Sequence, residues 1–268
     1  MWAALRPGNQ CPPFYPRQWA SASRPSAGRQ DIALPVQFAA RWCKPWRHGK
    51  LTIMQPQKSS ASPFRPVIAL ILGGITVVVC YFFVDRQVAC FVHDHRFYPY
   101  ALLRWPPLLS DWLSYAAIVG IIAVVAWRLL RPGGPHQKLL LAMAANLVAT
   151  VAIKNVLKGA FGRTWPETSI RNNPSLIAHG AYGFHPFHFG SAYQSFPSGH
   201  AAATFAVVSI LWLCRPRWRW LCAAVSGAVC VALVGLNYHF VGDVIAGAML
   251  GSLTGLYATR LFRLQPMP

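Results

Sequence analysis

The stretch VIALILGGITVVVCYFFV occupies residues 67–84 and contains no charged side chain. About 20 mostly apolar residues in a helix are enough to cross about 30 Å of hydrocarbon. Five further apolar runs follow it, so the sequence predicts an all-α fold, a six-span transmembrane helical bundle. The predicted spans are Val67–Val84, Leu113–Leu130, Leu139–Leu157, Ala201–Leu213, Leu221–Tyr238 and Val241–Leu261.

Composition supports a membrane protein. Hydrophobic residues make up 54% of the chain and charged residues only 12%, whereas a soluble domain carries about 25% charge. The net charge is +19. With the N-terminus in the cytoplasm, 18 of the 25 Lys and Arg residues lie on the cytoplasmic side, as the positive-inside rule expects. The charge is therefore a topology signal, and nucleic-acid binding is not needed to explain it.

The N-terminal residues 1–66 differ from the rest of the chain. They contain ten Lys and Arg, ten Pro and a single acid, Asp31. We expect a basic, Pro-rich cytoplasmic tail that is poorly ordered, followed by a transmembrane domain over 67–268. Met54 stands thirteen residues before the first apolar run. Our hypothesis is that Met54 is the natural start and that residues 1–53 are an upstream extension.

Polar residues gather at the outer ends of the predicted spans. His200 and His239 are 39 residues apart, which corresponds to two helices of about 18 residues and a short turn. We therefore expect both histidines at one membrane level. The candidate residues at that level are Lys158, Ser198, Gly199, His200, His239 and Asp243.

Two short patterns among them point to chemistry on an anion. His239 and Asp243 are four residues apart and would share a face if the last helix began at or before His239. A carboxylate beside an imidazole fixes its tautomer and raises its basicity. The run PSGH at 197–200 precedes a helix, whose free N–H groups favour anions. Each residue alone is explained by a purely structural role, such as an interfacial His or a snorkelling Lys, but the combination favours phosphate chemistry.

The combination resembles the type 2 phosphatidic acid phosphatase superfamily, the integral-membrane lipid phosphate phosphatases. That family's pattern is Lys-x6-Arg-Pro, then Pro-Ser-Gly-His, then Ser-Arg-x5-His-x3-Asp. The resemblance covers roughly residues 67–261, with Lys158 and Pro166 in the first part, a complete second part, and His239 and Asp243 in the third. The chain departs from the pattern at both motif arginines, where it has Trp165 and Ala232-Leu233.

The resemblance implies a metal-independent reaction without a cofactor. In it His239 attacks phosphorus and forms a phosphohistidine, Asp243 orients His239, and His200 protonates the leaving oxygen. The residues that would bind the substrate phosphate are Lys158, Ser198, Gly199 and, in place of a missing arginine, Arg163. Further candidates for the same substitution are Lys154, Arg171 and, as a neutral donor, Asn237.

Several points stay open at this level. The loop over 159–197 between the third and fourth spans is long, and we expect a lid or recognition cap on the outer face. Its His185 and His188 are weak evidence for a metal. Substrate candidates are undecaprenyl pyrophosphate, phosphatidylglycerol phosphate, phosphatidic acid and a lipid A phosphate. A lipid phosphotransferase and a catalytically dead lipid-phosphate-binding scaffold are the alternatives, and a transporter fits less well. We expect a bacterial inner membrane with the site facing the periplasm.

Overall fold

The structure, a computed structural model, describes residues 64–95, 103, 105–130, 134–167 and 173–267. Residues 1–63 of the predicted tail, with the Met54 start, lie outside the described residues, while 64–66 belong to the first helix. The long elements are helical, two short 3-10 helices cover Ser191–Tyr193 and Pro216–Trp218, and the β-structure of the described residues consists of isolated bridges. The helices are α1 (Phe64–Val79), a π-helix (Cys80–Val84), α2 (Asp85–Asp94), α3 (Trp105–Leu130), α4 (Pro135–Phe161), α5 (Leu176–His179), α6 (Gly199–Cys214), α7 (Arg219–Gly235) and α8 (Val241–Leu261).

Every predicted span lies on a helical segment, except that the fifth extends three residues beyond the end of α7. Within the described ranges, four helical segments are long and apolar enough to cross a membrane, namely Pro66–Asp94, Pro135–Phe161, Pro216–Gly235 and Val241–Leu261. Helix α6 is shorter, and α3 covers the second predicted span. The protein is therefore an all-α integral membrane protein, while the complete six-span topology stays a prediction.

Helices α6 and α8 are in close contact through small residues. A Cβ built on Gly247 or Gly251 would collide with the backbone of α6, at Ser198 and at Ala202 respectively, and one on Gly255 would collide with the Ser209 side chain. Small residues allow such close approach between membrane helices. The four-residue spacing of these glycines along the sequence is typical of a packing face, and in the structure this face lies against α6.

The end of α4 turns the chain back into the bundle. Gly162 has a φ of 59°, and its N–H donates to the Lys158 carbonyl at 2.9 Å. A Cβ on Gly162 would overlap the His185 carbonyl, so both the conformation and the space require glycine here. The next residue, Arg163, is fully buried as a result.

The segment between α4 and α6 folds on itself where it is described. Isolated bridges join Arg163 to Phe184 and Gln194, and Trp165 to Ser175. The Ser195 N–H donates to the Arg163 carbonyl at 3.1 Å. These contacts hold Arg163, Trp165 and Ser195 at fixed places between the ends of α4 and α6. The function of the loop as a lid stays a prediction.

Candidate active site

The turn between α7 and α8 holds His239. Asn237 has a positive φ of 54°, and the N–H groups of Tyr238 and His239 both donate to the Leu233 carbonyl, at 3.0 and 3.2 Å. Helix α7 therefore ends at Gly235 and not at Tyr238 as predicted. Because α8 begins after His239, the condition for a shared helical face is not met, and the turn itself brings His239 to Asp243.

Asp243 is the centre of a buried hydrogen-bond network. Its Oδ2 accepts from the Phe240 N–H at 3.1 Å and from the Ser195 Oγ at 2.5 Å. The same oxygen lies 3.6 Å from His239 Nδ1, and Ser195 Oγ lies 3.4 Å from that nitrogen. Since Nδ1 faces the carboxylate and the hydroxyl, Nε2 is the ring nitrogen left for chemistry.

Burial sets the protonation of His239. The residue is 3% exposed. Loss of hydration lowers its pKa to about 4, although the hydrogen bond and the charge of Asp243 act in the opposite direction, and Lys158 and His200 lower it further. At neutral pH the imidazole is therefore uncharged and has a lone pair available to attack an electrophile.

The start of α6 lies against this pair. The Ser198 N–H donates to the Asp243 carbonyl at 3.0 Å, which ties α6 to α8, and the Ser198 Oγ caps α6 by accepting from the Ala201 N–H at 3.4 Å. The ring centroids of His200 and His239 are 6.1 Å apart. The two histidines that the spacing placed at one membrane level are thus neighbours in the structure.

Two lysines of α4 lie on the same side. Lys158 donates from Nζ to the Gln194 carbonyl at 2.6 Å, and this Nζ lies 5.6 Å from the centre of the Trp165 ring. A Cβ built on Gly199 would lie 3.2 Å from Lys154 Nζ, so Lys154 is at the first turn of α6. The first N–H groups of a helix favour anions, and the ammonium groups add to that potential.

Arg163 does not occupy the phosphate-binding place that the sequence predicted. Its guanidinium is 0% exposed and donates from Nη1 to Asp243 Oδ1 at 2.5 Å and from Nη2 to Asp85 Oδ2 at 2.6 Å. A phosphate oxygen would have to displace one of these carboxylates. Although Arg163 is close to Trp165 in sequence, the Gly162 turn directs it inward, to the two carboxylates.

The other motif departures have different surroundings. Trp165 is half-buried, with its ring centre 5.4 Å from that of His239 and its Nε1 donating to the Ser191 carbonyl at 3.0 Å. Leu233 is fully buried in an apolar cluster with Ala201 and Val244. Asn237 donates to the Ala89 carbonyl and to Glu167, so its side chain fixes the turn. Arg171 lies outside the described residues.

Sequence reasoning missed two residues of the network, Ser195 and Asp85. Ser195 lies just before the PSGH run, but nothing in the local pattern distinguishes its hydroxyl from any other. Asp85 carried a signal that was not used, because an acid directly after an apolar span is costly to bury and is functional by default.

The chain is similar in sequence to known membrane proteins. Residues 138–266 match the model of the PAP2 superfamily. The chain is 31% identical over 171 residues to a lipid A 1-phosphatase of Rhizobium johnstonii, covering 59% of this chain and 67% of that protein. It is 26% identical over 149 residues to the bacitracin transport permease protein BcrC of Bacillus licheniformis, covering 56% and 66%.

Both alignments thus span about two thirds of the relative's length. A solved structure of a transmembrane PAP2 type phosphatidylglycerolphosphate phosphatase from Bacillus subtilis is 15% identical, with a TM-score of 0.42, and the match covers 75% of this chain and 96% of that one.

Proposed function

This chain belongs to the PAP2 superfamily, and we propose that it is an integral-membrane phosphatase that hydrolyses a lipid phosphate or pyrophosphate. The observation that carries the proposal is the meeting of His239, Asp243 and His200 beside Lys154 and Lys158. The likeness to a lipid A 1-phosphatase supports a lipid substrate and makes a lipid A 1-phosphate the first to test.

In the proposed first step, Nε2 of His239 attacks phosphorus and the bond from phosphorus to the lipid oxygen breaks. His200 gives its proton to that oxygen. The imidazole becomes a phosphorylated imidazolium, and its positive charge is stabilised by Asp243, whose Oδ2 lies 3.6 Å from Nδ1. The neutral state of His239 at pH 7 is the form that this step requires.

In the second step, water attacks the phosphohistidine. His200 accepts a proton from the water while the phosphorus–nitrogen bond breaks, which returns both histidines to their starting states. Phosphoryl transfer depends mainly on positioning and on stabilising charge at the equatorial oxygens. We assign that stabilisation to Lys154, Lys158 and the first N–H groups of α6, with the Ser198 hydroxyl as a further donor.

These cations take over from the motif arginines in the proposal. Arg163 is not among them, because both of its terminal nitrogens donate to carboxylates. Lys154 is the stronger substitute, since its Nζ reaches the first turn of α6. A point charge lacks the two-pronged geometry of arginine, so we expect weaker discrimination between phosphate headgroups than an arginine pair would give.

We place the site at the outer face of a bacterial inner membrane. The support is the asymmetry of Lys and Arg, with 18 of 25 on the side assigned to the cytoplasm. Substrate would then be a phosphate headgroup of the outer leaflet, reached from the periplasmic side.

The experiment is phosphate release by the purified full chain in detergent with EDTA. The panel comprises lipid A 1-phosphate, undecaprenyl pyrophosphate, phosphatidylglycerol phosphate and phosphatidic acid. We expect release from at least one lipid by the wild type, none by His239→Ala, and wild-type release by His136→Ala. His136 stands at the opposite end of α4 and serves as the matched control. Release by the His239 variant at the wild-type rate would overturn the proposal.

The panel also separates the two alternatives. A phosphotransferase would move label from the donor lipid to an acceptor lipid, with little free phosphate. A scaffold would bind the lipid and yield neither free phosphate nor a labelled acceptor lipid. The observation that favours a scaffold is the absence of both motif arginines.

A further inference from the structure

A second carboxylate, Asp85, is buried behind Asp243. It is 1% exposed and accepts the Arg163 Nη2–H at 2.6 Å and the Gly242 N–H at 2.9 Å. It is the first residue of α2, directly after the π-helix Cys80–Val84. Such π-segments are rare and frequently mark functional positions. Because it accepts the Gly242 N–H, Asp85 joins the first membrane-spanning segment to the first turn of α8.

Arg163 is held between the two carboxylates. Its guanidinium carbon lies 4.3 to 5.5 Å from the centres of four aromatic rings, those of Tyr81, Tyr182, Phe184 and Phe240. Tyr182 also accepts from Nη2 at 3.2 Å and donates to the Tyr81 carbonyl at 2.5 Å. An aromatic cage of this kind keeps the guanidinium in one orientation.

The net charge around Asp243 depends on Asp85. Alone, Arg163 would neutralise Asp243 and weaken its hold on a positive imidazole. With Asp85 present, the set of Asp85, Arg163 and Asp243 keeps a net charge of −1. We propose that Asp85 is a positioning residue for the reaction: it fixes Arg163, and through it Asp243, and it preserves the negative charge that stabilises the phosphorylated imidazolium of His239.

This inference rests on the proposed phosphohistidine reaction. The other groups that face His239 are Lys158 of α4, His200 of α6 and the hydroxyl of Ser195. Cys80 and Tyr182 face Asp85 besides Arg163. The substitutions below leave these residues in place, and Arg163→Gln also removes the hydrogen bond to Tyr182. That bond is equally absent from Arg163→Gln and from the double variant, so the comparison of those two variants reports the charge of Asp85.

The test uses Asp85→Asn in the purified full chain, with Asp94→Asn as the matched control. Asp94 ends the same helix and is exposed. We expect Asp85→Asn to lower kcat by about 10- to 100-fold, the range for losing a hydrogen bond between charged groups, with KM within about threefold. The control keeps wild-type kinetics. Wild-type kcat in folded Asp85→Asn would overturn the inference.

The pH profile distinguishes charge from mere structure. Arg163→Gln leaves two negative charges beside His239, which favour its protonated form. The acid limb of the kcat/KM profile should therefore move to higher pH by about 1 to 2 units. In Asp85→Asn, Arg163→Gln together, the net charge is again −1, and the limb should return to the wild-type position. A merely structural role for Asp85 predicts no such return, and its absence would refute the charge argument.

The experiment distinguishes a variant that does not fold from one that folds but has altered activity. Gel filtration in detergent reports whether each variant is folded. If Asp85→Asn is not recovered in folded form, the double variant provides the test. An acid limb of kcat/KM displaced from the wild-type pH in the double variant overturns the inference, and an acid limb at the wild-type pH supports it. If the wild type itself releases no phosphate, the proposed function fails, and this inference fails with it. If only Asp85→Asn behaves as wild type, the proposed function stands and the role of Asp85 does not.

Discussion

Arg163 and Asp243 form a buried ion pair in which Nη1 donates to Oδ1 at 2.5 Å. The arginine thus binds the carboxylate oxygen that does not face His239, while Oδ2 remains for Ser195 and the imidazole. Arg163, the first cation that the sequence suggested in place of a missing motif arginine, is thus paired with Asp243 and Asp85. Under the proposed function the phosphate is held by other groups, which is a testable consequence.

The first prediction concerns those groups. Lys154→Met and Lys158→Met should each lower kcat/KM for the lipid phosphate by about 10- to 100-fold, because charge-assisted bonds contribute about 1.5–3 kcal/mol each. Lys138→Met on the same helix is the control, since it lies one turn from the other end of α4. Initial rates over a range of lipid concentrations give the values. Wild-type kinetics in both lysine variants would refute this assignment of the phosphate site.

The second prediction concerns pH. His239 must be neutral to attack, and burial lowers its pKa from 6.5 to about 4. The acid limb of kcat/KM, where His239 gains a proton and can no longer attack, should therefore lie at about pH 4. An acid limb of kcat/KM near 6.5 would contradict the burial that the structure gives to His239. The profile is measured over a pH range in which gel filtration shows the protein intact.

The third prediction concerns the aromatic residue at the vacant arginine position. Trp165 stacks obliquely beside His239 and lies under Lys158, with the indole N–H fixed by Ser191. Trp165→Ala removes a cation–π contact of about 0.5–2 kcal/mol and opens the site to water. We expect kcat/KM to fall by about 3- to 30-fold. Trp220→Ala, at an 89% exposed position, should be neutral, and an equal loss in both variants would count against the role of Trp165.

The fourth prediction concerns packing. Gly251→Ala places a Cβ 2.7 Å from the Ala206 nitrogen and 2.8 Å from the Phe205 Cβ, where the α6 backbone cannot yield locally. Overpacking of this kind costs about 1–3 kcal/mol, so the variant should unfold at a lower temperature in detergent. Gly74→Ala in α1 meets nothing within 4 Å and is the control. Equal thermal stability of the two variants would refute the close packing of α6 on α8.

Much of this architecture follows from local patterns. Apolar runs of span length predicted the helices. The four-residue spacing of Gly247, Gly251 and Gly255 is typical of a packing face, although it does not identify α6 as the partner. The 39 residues between His200 and His239 predicted that both would lie at one membrane level, and in the structure the two rings are neighbours. Each of these rests on helical periodicity and on the thickness of a bilayer, which one sequence carries.

The rest depends on tertiary contacts that spacing does not reveal. The burial of Arg163 follows from a left-handed turn at Gly162 and from a loop that folds back over it. Its second partner, Asp85, is 78 residues away and is placed after a π-helix. The end of α7 at Gly235 depends on the positive φ of Asn237. Motif spacing does not predict contacts between side chains that are so far apart in sequence.

The most direct test of the account is to trap the covalent intermediate. The full chain is mixed with substrate labelled with ³²P at the scissile phosphate, quenched within milliseconds, and separated from lipid. We predict label on the wild-type chain that is stable in base, lost in acid and located at His239 by mass spectrometry, with none on His239→Ala. Rapid phosphate release without labelled protein, or labelling that survives in His239→Ala, would contradict the account.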